Sequence, residues 1–209
     1  MLNKEIKIIG CKKCVALSAV LAVLAVVLTV VFGGNLAAGE GFGLKCAVAL
    51  ATVSLFSLLW FGWRFRNLGG FAPAVCMTFA MLVDSLVALA AGAVMGDFTL
   101  TGLFTACALS AVATSLVFGC LNNNAKLYKA MEKDELATMS VNQVKTAVVL
   151  IYGIAVLASL AAAVVAAVMG VTALIGCAVS VLFGSLCGLF TSLDVAANLW
   201  VVLRQKKAK

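Results

Sequence analysis

Two carboxylates stand inside long apolar runs, and they are the residues to read first. Asp84 lies near the middle of residues 71–95, and Asp194 lies in the second half of residues 171–203. A charge in the centre of a lipid-spanning segment costs a few kcal/mol unless it is paired or hydrated. Such acids therefore mark proton or ion paths, or they stand neutral and bonded to a serine or threonine of a neighbouring helix. Around Asp194 the small and polar residues recur at three- and four-residue steps. Ser180, Gly184, Cys187, Thr191, Asp194 and Asn198 thus share one helix face, with Gly188 at its border. That face serves close helix packing through Gly184, Cys187 and Gly188. Asp84, Asp194, Thr191, Asn198 and Ser115 are the candidates for a proton or ion path.

The third constellation is Cys11-Lys-Lys-Cys14, just before the first apolar run. Neighbouring lysines favour a thiolate, so a redox pair, a metal half-site or an acylation site is conceivable. No second pair stands at zinc spacing, and packing is the simpler role for the other six cysteines, which lie within or at the ends of apolar runs. The chain has no histidine. It also lacks a nucleophile elbow and a phosphate loop. An enzyme is not expected, nor a metal or a cofactor.

The elements that must position these residues are membrane helices. Of 209 residues, 65% are hydrophobic and 11% charged, with a mean hydropathy of +1.19. Soluble domains carry about a quarter charged residues. The expected fold is all-α, a single polytopic domain over 1–209 with six spans at about 14–32, 44–61, 71–95, 99–121, 144–169 and 171–203. An apolar run of about 20 residues crosses a bilayer. The last run reads as an unbroken helix, with its polar face at the centre of the bundle. In the fourth, Thr101, Thr105, Ala108, Ser115 and Gly119 fall roughly on one face. The polar stretch 122–143 reads as a separate interfacial or cytoplasmic helix. All but Lys45 of the 15 lysines and arginines lie in the tails, the 62–70 turn or the 122–145 loop. The positive-inside rule then puts both termini in the cytoplasm, with the chain in the cell's inner (plasma) membrane. The net charge of +7 follows from this clustering and is no signal for nucleic acid.

Spans two to six resemble the membrane domain of the SecD/SecF protein-export family, of the resistance-nodulation-division superfamily. Three pieces carry the likeness. Trp60-Phe-Gly-Trp-Arg-Phe-Arg66-Asn-Leu-Gly69 looks like the aromatic-arginine end of the family's second helix. Gly96-Asp-Phe-Thr-Leu-Thr-Gly102 resembles the entry to its fourth helix. Gly176 to Gly184 with Leu189-Phe-Thr-Ser-Leu193 is similar to its sixth. The resemblance implies a six-helix half that acts with a second such half, or with the export channel, in protein translocation. It also implies a reduced member. The large extracytoplasmic domain is replaced by Gly33–Gly43, the fourth-helix relay acid falls near Ser115 and Val117, and a sixth-helix arginine falls near Ala197. The rival expectation is a small proton- or ion-coupled transporter or channel subunit using Asp84 and Asp194.

Overall fold

The computed structural model describes residues 6–8, 10–33, 42–69, 71–95 and 100–205. Helices α1 (Lys12–Gly33), α2 (Phe42–Arg64), α3 (Ala72–Met95), α4 (Leu100–Leu127) and α5 (Lys133–Met169) follow in order. Then come α6 (Thr172–Phe190), a π turn (Thr191–Val195) and α7 (Ala196–Gln205) in one continuous rod. Among the described residues, six helices are long and apolar enough to cross a membrane, α6 to α7 counting as one. The expected turns around Glu40 and Asp97 and the tail beyond Gln205 lie outside the described residues.

The helices form because Ala and Leu, strong helix formers, offset the weaker preference of the interspersed valines, and because the breaks fall on glycine. Gly170 ends α5 with φ +69, and its N–H bonds the carbonyls of Ala166 and Ala167. Gly69 follows a 3-10 turn (Arg66–Leu68) with φ +109, and a side chain there would run into the Arg204 guanidinium. These left-handed positions suit glycine because it has no Cβ to clash.

The bundle is built around α3, which packs against α1, α2, α4, α6 and α7. Its span is the most enclosed, 67% buried against 39% for the rod containing α6. The polar face of the last run is buried as expected, between α3, α4 and α5, while α3 is the most enclosed helix. The main apolar core gathers at one end of the bundle. There Phe61, Phe65 and Leu68 meet Met77, Phe118, Leu121, Val141 and Trp200. Phe118 is fully buried, with its ring centroid 6.3 Å from that of Phe65. At the other end the core dwindles to Cys46, Leu89 and Leu103.

Three expectations change. The rod is not regular, because Ala196 N–H bonds Thr191 O, a five-residue step. Stretch 122–143 is not a helix of its own. It finishes α4, turns at Tyr128–Glu132 and starts α5. Its polarity bonds helix to helix: Asn124 Nδ2 donates to Ser140 Oγ and Gln143 Oε1, both at 2.9 Å. On α4 the buried side is Gly102, Ala106, Ser110, Ala113 and Val117, whereas Thr101 and Ala108 are exposed. Thr105 satisfies its hydroxyl on its own helix, at Thr101 O, 2.8 Å away, so it has no need to face a partner.

Within the basic lead-in, Ile6 and Ile8 are strapped to the first part of α5. Asn142 accepts from Ile6 N–H at 3.0 Å and donates to Ile6 O at 2.9 Å. One helical turn earlier, Thr138 accepts from Ile8 N–H at 2.9 Å and donates to Ile8 O at 3.2 Å. Two side chains thus imitate an adjacent strand, and Ile8 is buried beneath them. Replacing both (Thr138→Val with Asn142→Leu) deletes these bonds at about 1 kcal/mol each. The expected result is that tryptic cutting after Lys7 and Lys12 accelerates at least tenfold in the folded protein. An unchanged cutting rate would mean that the strap is held by Ile8 alone.

Candidate functional site

α3 holds Asp84 at its middle, completely buried. The π turn brings Thr191 to it, and Thr191 Oγ1 donates to Asp84 Oδ1 at 2.7 Å. Asp84 Oδ2 has no hydrogen-bond partner. Ser110 of α4 and Cys187 of α6 lie beside the same carboxyl. Ser110 Oγ is also buried and also without a partner. Buried polar atoms are nearly always bonded, so two neighbouring orphans point to a proton, a water or a small cation. α3, α6 and the π turn contain no lysine or arginine. An ionised Asp84 would therefore have no countercharge on these elements.

A second layer closes this centre on the α5 side. Tyr152 reaches inward, and its hydroxyl and Ser192 Oγ are 2.9 Å apart. Tyr152 fits only because residue 188 is glycine, since a Cβ there would sit 2.6 Å from the phenol oxygen. On α3, Ser85 Oγ donates to Met81 O at 2.6 Å and lies 2.8 Å from Cys107 Sγ of α4. The π turn carries two successive hydroxyls that face different helices, Thr191 toward α3 and Ser192 toward α5.

The polar face read from the sequence is divided between two places. Ser180, Gly184, Cys187 and Thr191 are buried around Asp84 or along the α6 contact above it. Asp194 and Asn198 belong to a second cluster, at the start of α1. Asn198 Nδ2 donates to Asp194 Oδ1 at 2.8 Å, and Asn198 Oδ1 accepts from Cys11 N–H at 2.8 Å. Cys14 lies against the Asp194 carboxylate. Asp84 and Asp194 are therefore not partners in one cluster. The hydroxyl beside Asp84 is Ser110 rather than Ser115, which is half-buried further along α4.

Sequence reasoning missed Ser110, Tyr152 and Ser192. A usable signal existed for Ser110, because Gly102, Ala106, Ser110 and Ala113 are small residues at helical steps. Tyr152 had none beyond being a tyrosine in an apolar run. Among the described residues, no group of three or more Cys, Asp or Glu is placed to hold a metal ion. Comparison with protein-family models, with curated proteins and with solved structures finds no match.

Proposed function

We propose that the chain is a multi-pass membrane protein that acts as a proton- or ion-coupled transport subunit, with Asp84 as its responsive group. The observation that carries this is the half-satisfied carboxyl: one oxygen held by Thr191, the other without a partner, an unbonded Ser110 beside it, and no lysine or arginine on α3, α6 or the π turn. Neutral, Asp84 fits this enclosure and can donate to Ser110. Ionised, it leaves a buried charge that favours any arrangement admitting water or a cation. The irregular turn at Thr191–Val195, which carries Thr191, is the part we expect to respond, since π turns within helices frequently fall at functional sites. Proteoliposomes test the reading. The parent should take up protons down an imposed gradient, and Asp84→Asn should not.

A second reading is a SecD/SecF-like accessory subunit of protein export, working with a partner half or the translocation channel. Its support is the end of α2. Trp60 and Trp63 lie on the surface with ring centroids 5.9 Å apart, and Arg64 leads through the short 3-10 turn straight into α3. This is the form that the resemblance implies for that segment. Co-purification with the channel in mild detergent is its test; the first reading needs no such partner. Both readings place the termini in the cytoplasm. In a cysteine-free background, single cysteines at Glu40 and Asp97 should label from outside, and those at Lys129 and Lys206 from inside. Outside labelling at Lys129 would invert the topology.

A further inference from the structure

We propose that Cys11 and Cys14, with Asp194 as proton acceptor, form a thiol–disulfide exchange site for an anionic disulfide substrate. Three independent placements carry this. Cys11 immediately precedes α1, at its N-cap, and Cys14 follows one turn later. Free donors of the first turn, and the positive end of the helix, favour a thiolate at that position. The Asp194 carboxylate, brought in from the π turn, lies against Cys14. It is oriented by Asn198, whose side chain bonds Asp194 Oδ1 at 2.8 Å and also holds the Cys11 backbone N–H at 2.8 Å. Both thiols are free and both are partly accessible.

The two cysteines are not equivalent. The Cys14 backbone N–H and then its thiol point at the Cys11 sulfur and hold the Cys11 thiol below its ordinary value. Cys11 is the outer and more nucleophilic partner. Cys14 is the resolving partner, with a base at hand. Lys12 and Lys13 stand exposed between them and present positive charge to an incoming substrate.

The chemistry balances as follows. The Cys11 proton goes to solvent, and its thiolate attacks one sulfur of the substrate disulfide. That S–S bond breaks, the far sulfur leaves as a thiolate, and a mixed disulfide forms on Cys11. Asp194 takes the Cys14 proton as Cys14 attacks the Cys11 sulfur. The mixed disulfide breaks, the second substrate thiolate leaves, and the Cys11–Cys14 disulfide remains. Two electrons have passed from the dithiol to the substrate.

The test uses the full chain in mild detergent with oxidised glutathione. Trypsin cuts after Lys12 and Lys13, so the internal disulfide appears as two peptides joined through Cys11 and Cys14. Expected is that this linked product forms and is reversed by reduced glutathione, while Cys120 and Cys177, also partly accessible, stay reduced. Cys14→Ser should trap glutathione on Cys11, and Cys11→Ser should trap none on Cys14. Asp194→Asn should leave capture at Cys11 unchanged and slow its resolution about tenfold. Cationic cystamine should react more slowly than oxidised glutathione, by about tenfold at low salt. The proposal falls if Cys11 and Cys14 alkylate independently in every redox buffer, or if glutathione appears equally on Cys120 and Cys177. Resolution at the parent rate in Asp194→Asn would remove Asp194 from the step.

Discussion

Gly184→Leu is expected to abolish a stable, monodisperse fold. Gly184 lies where three helices come closest. A Cβ built on it would be 2.9 Å from Ala106 Cβ of α4, 3.2 Å from Ala88 Cβ of α3 and 3.6 Å from the Asp84 carbonyl oxygen. Those neighbours are a buried methyl on each side and main chain, so no flexible end can swing away. A leucine adds three further carbons to a space that already rejects the first. Overpacking costs about 1–3 kcal/mol where a core can yield, and more where it cannot. The expected cost is therefore at least about 3 kcal/mol, read as a melting temperature lowered by about 10 °C or as aggregation on size exclusion. Gly184→Ala should fall between the parent and Gly184→Leu. Leu186→Ala is the control, because Leu186 is 52% exposed and projects away from the junction. A Gly184→Leu protein that elutes and melts like the parent would show that α3, α4 and α6 do not meet there.

The helices were legible and their facing was not. Long apolar runs broken at glycine announce six helices; α1, α2, α3 and the rod from α6 to α7 lie within a few residues of the expected bounds, whereas α4 runs on to Leu127 and α5 begins early at Lys133. A helix apolar all round gives no amphipathic stripe by which to choose its inner side. That is why α4 was read from Thr101, Thr105 and Ser115, while Ala106, Ser110 and Ala113 are the buried ones. Polarity misled in a related way over 122–143. Asn124, Ser140 and Gln143 read as a solvated loop, yet they bond to one another between two helices.

The acids were found because chemistry singles them out regardless of facing. Both were flagged, and so were Thr191 and Asn198, the residues that bond to them. The depths of the two acids differ already in the sequence, Asp84 at mid-span and Asp194 in the later half of its run, but the start of α1 as the neighbour of Asp194 does not show there. Nothing in Thr-Ser-Leu-Asp-Val announces the five-residue step either. In the rod, Thr191 and Ser192 bond toward α3 and α5 while Asp194 and Asn198 serve the start of α1. One rod thereby supports two sites of different chemistry.

At the first of those sites, Asp84→Asn is expected to abolish gradient-driven proton uptake while leaving the fold intact. Asparagine has the same shape, and its carbonyl can still accept from Thr191. Its amide can donate to Ser110 Oγ, which has no partner in the parent. Stability should therefore hold or rise slightly, by up to about 1 kcal/mol. What asparagine cannot do is gain or lose a proton. Asp84→Leu separates the two roles from the other direction. It leaves Ser110 unbonded and sends the Thr191 hydroxyl back to Gly188 O, already 3.3 Å away, so about 1–3 kcal/mol of stability should be lost together with the flux. Tyr152→Phe is the remaining arm. It removes the bond to Ser192, should cost about 1 kcal/mol, and should leave flux present, because the phenol bonds Ser192 and the carboxyl is held by Thr191. Flux retained in Asp84→Asn would make the buried centre a structural polar contact and would leave the export-subunit reading as the stronger one. Flux lost in Asp84→Asn and kept in Tyr152→Phe, with all proteins eluting alike, would identify Asp84 as the group that carries the proton.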